Sequence, residues 1–143
     1  MPYFDWNATT PLLPQAREAW LEASGNTWAN PSTAYRAGAR ARLALDEARA
    51  RVGEIMGCPP EQVVFTSGAT ESNNGMLREA ARKAGPDGRI WISSVEHPSV
   101  TATAEAYWGA QRVVRIPVSA EGVVDIDWIQ DHLSRDRPEL VSV

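Results

Sequence analysis

Apolar positions along the chain recur first at helical and then at strand spacing. Pro11-Leu-Leu-Pro14 punctuates an extended start of thirteen residues. Pro14 suits the first turn of a helix running to about Ser24, with Ala16, Trp20 and Leu21 on one face. Residues 25–32 are rich in turn formers and predict a loop. From about Thr33 to Met56, Ala41, Leu45, Ala48, Val52 and Ile55 recur at steps of four, three, four and three, which predicts a long amphipathic helix. Gly57 suits the position just past its end, and Pro59-Pro60 prevents continuation.

The second half alternates. Gln62-Val-Val-Phe-Thr66 predicts a strand, Ser67-Gly-Ala-Thr70 a turn, and a helix follows to about Ala84. Arg89-Ile-Trp-Ile-Ser93, Arg112-Val-Val-Arg-Ile116 and Leu140-Val-Ser-Val143 predict three further strands. Helices are predicted from Pro98 to about Trp108 and from Asp127 to Ser134, the latter capped by Asp125. This alternation implies an α/β chain with a mostly parallel sheet flanked by helices. A final strand at the last residues implies a fold that is incomplete in this chain and finished by a further segment.

Composition narrows the classes. The chain has 143 residues, 43% of them apolar and 22% charged, which is normal for a globular domain. One such core removes about two-thirds of the unfolded surface from water. The net charge of −4 gives no general attraction to nucleic acid or an anionic membrane. No apolar run approaches the ~18 residues of a membrane span, and no secretory signal is visible at the start. A single cysteine, Cys58, excludes a disulfide framework. The expected compartment is the cytoplasm.

Two places suggest chemistry. The turn at Ser67-Gly-Ala-Thr70 leads from a strand directly into a helix. The first amides of that helix are unpaired, with the positive end of the helix dipole behind them, which suits a phosphate. Gly68 and Ala69 permit close approach, and the Ser67 and Thr70 hydroxyls add donors. Glu71 suits the dipole but repels a phosphate unless it points away. A helix cap is the plain alternative for Ser67. His97, in Ser93-Ser-Val-Glu-His-Pro-Ser99, also follows a predicted strand, where an imidazole can stack on a planar ligand and move protons near neutral pH; a packed or solvated loop histidine is the alternative. Asp125, Asp127, Asp131 and His132 invite a metal reading, but capping and a solvated acidic face explain them without a fourth ligand.

Asp5-x-Asn-Ala-Thr-Thr-Pro11, Asn30-Pro-Ser32, Val64-Phe-Thr-Ser-Gly-Ala-Thr-Glu-Ser-Asn-Asn74 and Glu96-His97-Pro98 together resemble, in order and spacing, the opening of the cysteine desulfurases, in the nitrogen-fixation and housekeeping iron–sulfur branch. These belong to the class V aminotransferase group of enzymes dependent on pyridoxal 5′-phosphate. The resemblance implies the N-terminal part of the fold type I large domain, over residues 14–143, with residues 1–13 near the active site. It implies cofactor binding by Gly68, Ala69, Thr70 and His97, with His97 stacked on the pyridine ring as the catalytic acid or base. It places Asn30, Ala8 and Thr9 near the entrance, and it implies no metal. The implied reaction takes sulfur from L-cysteine, leaving L-alanine and an enzyme persulfide for iron–sulfur cluster assembly. The implied partners are a C-terminal remainder of the fold, a second copy in a homodimer and a sulfur acceptor protein. That remainder carries the lysine that holds the cofactor and the nucleophilic cysteine, so this chain alone is expected to be inactive. Lys83 reads as a surface lysine and Cys58 as a turn residue. Relatives place a histidine near Tyr35, a departure that weakens any role for that loop. Another class V enzyme, an aminotransferase or selenocysteine lyase, and a non-catalytic assembly module are the alternatives.

Overall fold

The computed structural model describes residues 2–143. The chain forms two compact units, Met1–Val64 and Phe65–Val143.

In the first unit the opening residues run irregularly and bend once at residues 6–8, where Ala8 N–H donates to the Asp5 carbonyl at 3.1 Å. Helix α1 spans Pro14–Asn26 and α2 spans Arg36–Met56. Helix α2 starts three residues later than the pattern predicts, because Thr33 is taken up in a turn. Its N–H and hydroxyl both donate to the Asn30 carbonyl, at 3.3 and 2.8 Å. Gly38 lets that turn lie against α2, since a Cβ there would fall 2.7 Å from the same carbonyl oxygen. The end of α2 is as predicted. Gly57 takes φ 68°, the left-handed conformation open to glycine. Cys58 N–H then reaches back to the Gly53 carbonyl at 2.9 Å. Arg42 and Asp46 form the expected pair one turn apart, at 3.1 Å.

Ala41 is buried and Leu45 half-buried, but Ala48, Val52 and Ile55 are exposed, as are Trp20 and Leu21 of α1. Periodicity states which side chains share a face, and this unit supplies little apolar surface to lie over it.

In the second unit β1 (Ile90–Ser93) is flanked by β2 (Val113–Ile116) and β3 (Leu140–Ser142), both parallel to it, in the order β2-β1-β3. Ile90 stands opposite Val113 on one side and Leu140 on the other. Every residue of β1 is buried, as a central parallel strand requires. Helices α3 (Ala69–Lys83) and α4 (Pro98–Trp108) cover one face, where Leu77, Val100, Ala104 and Trp108 close over Ile90 and Ile92. Helix α5 (Ile126–Leu133) presents Trp128 to Trp91, on the alternate side chains of β1, with ring centroids 5.2 Å apart. Asp125 caps α5 as predicted, accepting from Trp128 N–H at 2.8 Å. Arg112 secures the far end of this core: its Nε donates to the Trp108 carbonyl at 2.6 Å and its Nη1 to the Gly85 carbonyl at 2.9 Å.

The predicted strand at 62–66 is not one. Pro60–Gln62 forms a single tight helical turn, and residues 63–66 run on without a ladder. Val64 and Phe65 are exposed. The residue types favour extended backbone, but a strand also needs a ladder, and the three-stranded sheet of the described residues does not include this segment.

Two measurements test these packing assignments. Urea unfolding followed by circular dichroism should show Ile92→Ala costing ~2–5 kcal/mol and Ile92→Val ~0.5–1.5 kcal/mol. Ile55→Ala, on a side chain 83% exposed, should stay within about 0.5 kcal/mol. The second concerns the Glu79 carboxyl, held down to about 2 from an ordinary 4.5, first by its hydrogen bond from Arg82 and further by Lys83. A carboxyl lowered in the folded state stabilises above its unfolded value, and that contribution is lost as pH falls through the folded value. Thermal unfolding should therefore show Glu79→Gln slightly less stable than the parent at neutral pH, with the gap closing between pH 4.5 and about 2 and shrinking in salt, because the pair is exposed.

Candidate active site

The carboxyl end of β1 and the first turns of α3 and α4 carry the chemistry-bearing residues of the second unit. Chain direction explains this. Helix α4 follows β1 and so opens at its carboxyl end, and α3, which leads into the amino end of β1, opens on the same side, so the open amides of both gather there.

The turn before α3 is open. Gly68 is nearly fully extended, at φ 159° and ψ 179°, with open space where a Cβ would sit. No side chain caps α3, and its first helical bond runs from Ser72 N–H to the Gly68 carbonyl at 3.2 Å. The amides of Ala69 and Thr70 therefore form the exposed positive end of a fifteen-residue helix. The Thr66 and Ser72 hydroxyls meet at 2.7 Å and brace the turn from inside.

Ser67 departs from expectation. It was expected to offer its hydroxyl to a bound anion, but both its N–H and its Oγ donate to Glu71 Oε2, each at 2.7 Å. The carboxylate one helical turn on reaches back and consumes both donors. Those two bonds, from the backbone amide first and the hydroxyl second, hold the Glu71 carboxyl below its ordinary value. Glu71 is thus turned onto Ser67, and the donors left at the turn are the amides that follow and the Thr70 side chain.

His97 caps α4. Its Nδ1 accepts from Ser99 N–H at 3.0 Å and lies 2.8 Å from Ser99 Oγ, and the ring is exposed. Its carbonyl accepts from Val100 N–H at 2.8 Å. The preceding Glu96 is tied to the carboxyl end of β3, where Ser142 Oγ donates to its Oε1 at 2.6 Å.

Asn73 links the two turns. Its Nδ2 donates to Ser99 Oγ at 2.9 Å, so the start of α3 sits beside the start of α4. The structure thereby gathers Gly68, Ala69, Thr70 and His97 into one neighbourhood. Sequence reasoning missed Asn73, Ser99 and the Glu96–Ser142 bond. The available signal was Ser99 after His97-Pro98, a hydroxyl at the second position of a helix.

The remaining candidates lie in the first unit. Asn30 is exposed, and its Oδ1 accepts from Ser32 N–H at 2.9 Å, closing its own turn. Ala8 and Thr9 are exposed and donate their amides to the Asp5 carbonyl at 3.1 and 3.4 Å. Lys83 is a surface residue paired with Glu79 at 3.4 Å, and Cys58 is half-buried in the turn after α2, both as read from the sequence. His132 stacks on Trp128 with centroids 3.8 Å apart and bonds its backbone carbonyl through Nδ1 at 2.8 Å. No helix among the described residues is long and apolar enough to cross a membrane.

Comparison with known proteins places the chain in a family. The cysteine desulfurase IscS 1 of Archaeoglobus fulgidus is 37% identical over 139 residues, covering 95% of this chain and 36% of that protein. A selenocysteine lyase of Xenopus tropicalis is 36% identical over 159 residues, covering 99% of this chain and 36% of that protein. A solved structure of SspA in complex with cysteine superimposes with a TM-score of 0.77 at 28% identity, covering 99% of this chain and 41% of that one. The chain thus spans little more than a third of the length of these relatives. The family model described as aminotransferase class-V matches residues 2–143, and the chain therefore belongs to the class V aminotransferase family.

Proposed function

We propose that this chain is the N-terminal part of a cysteine desulfurase dependent on pyridoxal 5′-phosphate, the cofactor of its family. The observation that carries the reading is the Asn73–Ser99 bond, which sets an open helix N-terminus beside an exposed histidine. A phosphate and an attached aromatic ring need that pair of features. The residues fit the group: open space at Gly68 admits a phosphate, and Glu71 is turned onto Ser67 instead of facing it.

In this reading the Ala69 and Thr70 amides hold the phosphate, the Thr70 hydroxyl adds a donor and the dipole of α3 favours its charge. His97 would stack on the pyridine ring and would exchange a proton with substrate through the nitrogen not engaged by Ser99. When bound, the cofactor supplies the electron sink for bond breaking at the amino-acid α carbon. The substrate is L-cysteine, by analogy with the named relatives, and the products are L-alanine and a persulfide on a cysteine outside this chain, passed to an acceptor for iron–sulfur assembly. Asn30, Ala8 and Thr9 border the entrance. The complete enzyme is a cytoplasmic homodimer, with the opening thirteen residues near the site and residues 14–143 forming part of the large domain. Selenocysteine lyase is the second reading, favoured by the Xenopus relative; the relative rates on cysteine and selenocysteine separate the two.

Equilibrium dialysis of pyridoxal 5′-phosphate against the chain is expected to show binding that Thr70→Val weakens by about tenfold, the loss of one charge-assisted hydrogen bond. Ala69→Asp should weaken it further, by placing a second negative charge at the turn. Unchanged affinity in both variants overturns the assignment.

The chain by itself is also expected to release neither sulfide nor alanine from L-cysteine with added cofactor. Lys83 is paired with Glu79, and Cys58 sits in the turn closing α2 in the other unit. Turnover matching a full-length relative would contradict this.

A further inference from the structure

His97 does two jobs with one ring, and the first constrains the second. Most N-caps are short oxygen-bearing side chains that accept from an amide two or three residues on. Here the acceptor is an imidazole nitrogen, taking the Ser99 N–H at 3.0 Å. A nitrogen that accepts in this way points its lone pair at the donor and carries no proton. In the neutral ring the proton then resides on Nε2.

A second donor reinforces the choice. Ser99 Oγ lies 2.8 Å from the same Nδ1. A hydroxyl has one hydrogen, and its direction is set by what else it touches. Asn73 Nδ2, an amide nitrogen able only to donate, reaches that oxygen at 2.9 Å. The oxygen accepts there, and its own hydrogen is left for Nδ1. The chain therefore runs one way, from Asn73 on α3 through Ser99 on α4 to His97. Asn73 and Ser99 are both half-buried, which shields the chain from competing water, while the His97 ring is exposed.

We infer that Ser99, oriented by Asn73, is a positioning residue that holds His97 in the tautomer with its proton on Nε2. The relevance of this to catalysis rests on the reading of His97 as the ring that stacks on the cofactor. The relay itself rests only on the hydrogen bonds. It leaves Nε2 as the one ring nitrogen free to face a ligand, and it presents a proton there in the neutral state. It also links that proton to α3, whose first amides are assigned to the phosphate, so the two ends of the cofactor site are set by one polar connection.

The test is nitrogen NMR on the full chain labelled with 15N-histidine, recorded about two pH units above the ordinary imidazole value of ~6.5. His97→Gln identifies the His97 signals against those of His132. In the parent, Nδ1 should resonate as an unprotonated acceptor and Nε2 as a protonated nitrogen. Ser99→Ala keeps the backbone amide and loses only the hydroxyl. It should move the tautomer ratio about fivefold toward Nδ1–H, the worth of one neutral hydrogen bond. Asn73→Leu should move it in the same direction and by less, and Ser99→Thr should restore the parent ratio. Near-ultraviolet dichroism of the Trp91–Trp128 pair confirms that each variant is folded. An unchanged ratio in Ser99→Ala, or a change that Ser99→Thr does not reverse, overturns the relay. Failure of the parent to bind pyridoxal 5′-phosphate in dialysis overturns the cofactor reading and leaves this result standing, so the two failures are distinguishable.

Discussion

Ile90 and Ile92 point to the same side of a strand with neighbours on both flanks, and they hold α3 and α4 together over the sheet. The two helices start at the same edge of the sheet, because α4 leads out of the carboxyl end of β1 and α3 runs down into its amino end. Their N-termini are then close enough for Asn73 to reach Ser99. The juxtaposition of amides and imidazole follows from apolar packing on the far side of the same helices.

The polar groups add a division of labour. Glu71 occupies Ser67, Asn73 occupies Ser99, Ser99 occupies one nitrogen of His97, and Ser142 holds Glu96. Among the described residues, the amides after Gly68, the Thr70 hydroxyl and the outer nitrogen of His97 are left uncommitted, and these are the groups the proposed cofactor site uses. A site whose unused donors are few and whose used ones are locked needs little reorganisation when a ligand arrives.

How much of this the sequence shows depends on the range of the interaction. Helix ends set by local chemistry were legible: Gly57 after α2, Asp125 before α5 and Pro98 opening α4 each act within a few residues. The strand Ile90–Ser93 was legible because burial on both faces demands an apolar run, and Val113–Ile116 because its residue types are β-branched around a single charge. The open turn at Gly68 was legible as a run of small residues entering a helix, and His97 as a histidine following the strand Ile90–Ser93. The supposed strand at 62–66 was misread, since pairing is a property of two segments and the pattern describes one. The engagement of Ser67 by Glu71 was misread for a related reason: spacing allows both a donor aimed outward and one turned back, and only geometry chooses between them. Asn73 and Ser99 lie 26 residues apart, and no local rule joins them.

The sheet has a further implication for how the molecule behaves in concentrated solution. Its order leaves β2 and β3 each with one flank that no other described strand covers. On β2 the exposed Arg115 is paired with Glu105, a charge beside the edge that discourages stacking. On β3 the exposed Val141 lies between Glu139, which is exposed, and Ser142, whose hydroxyl holds the Glu96 carboxylate. A strand approaching β2 would have to part Arg115 from Glu105 or bury the pair, so that flank is guarded by a charge pair and not by its backbone.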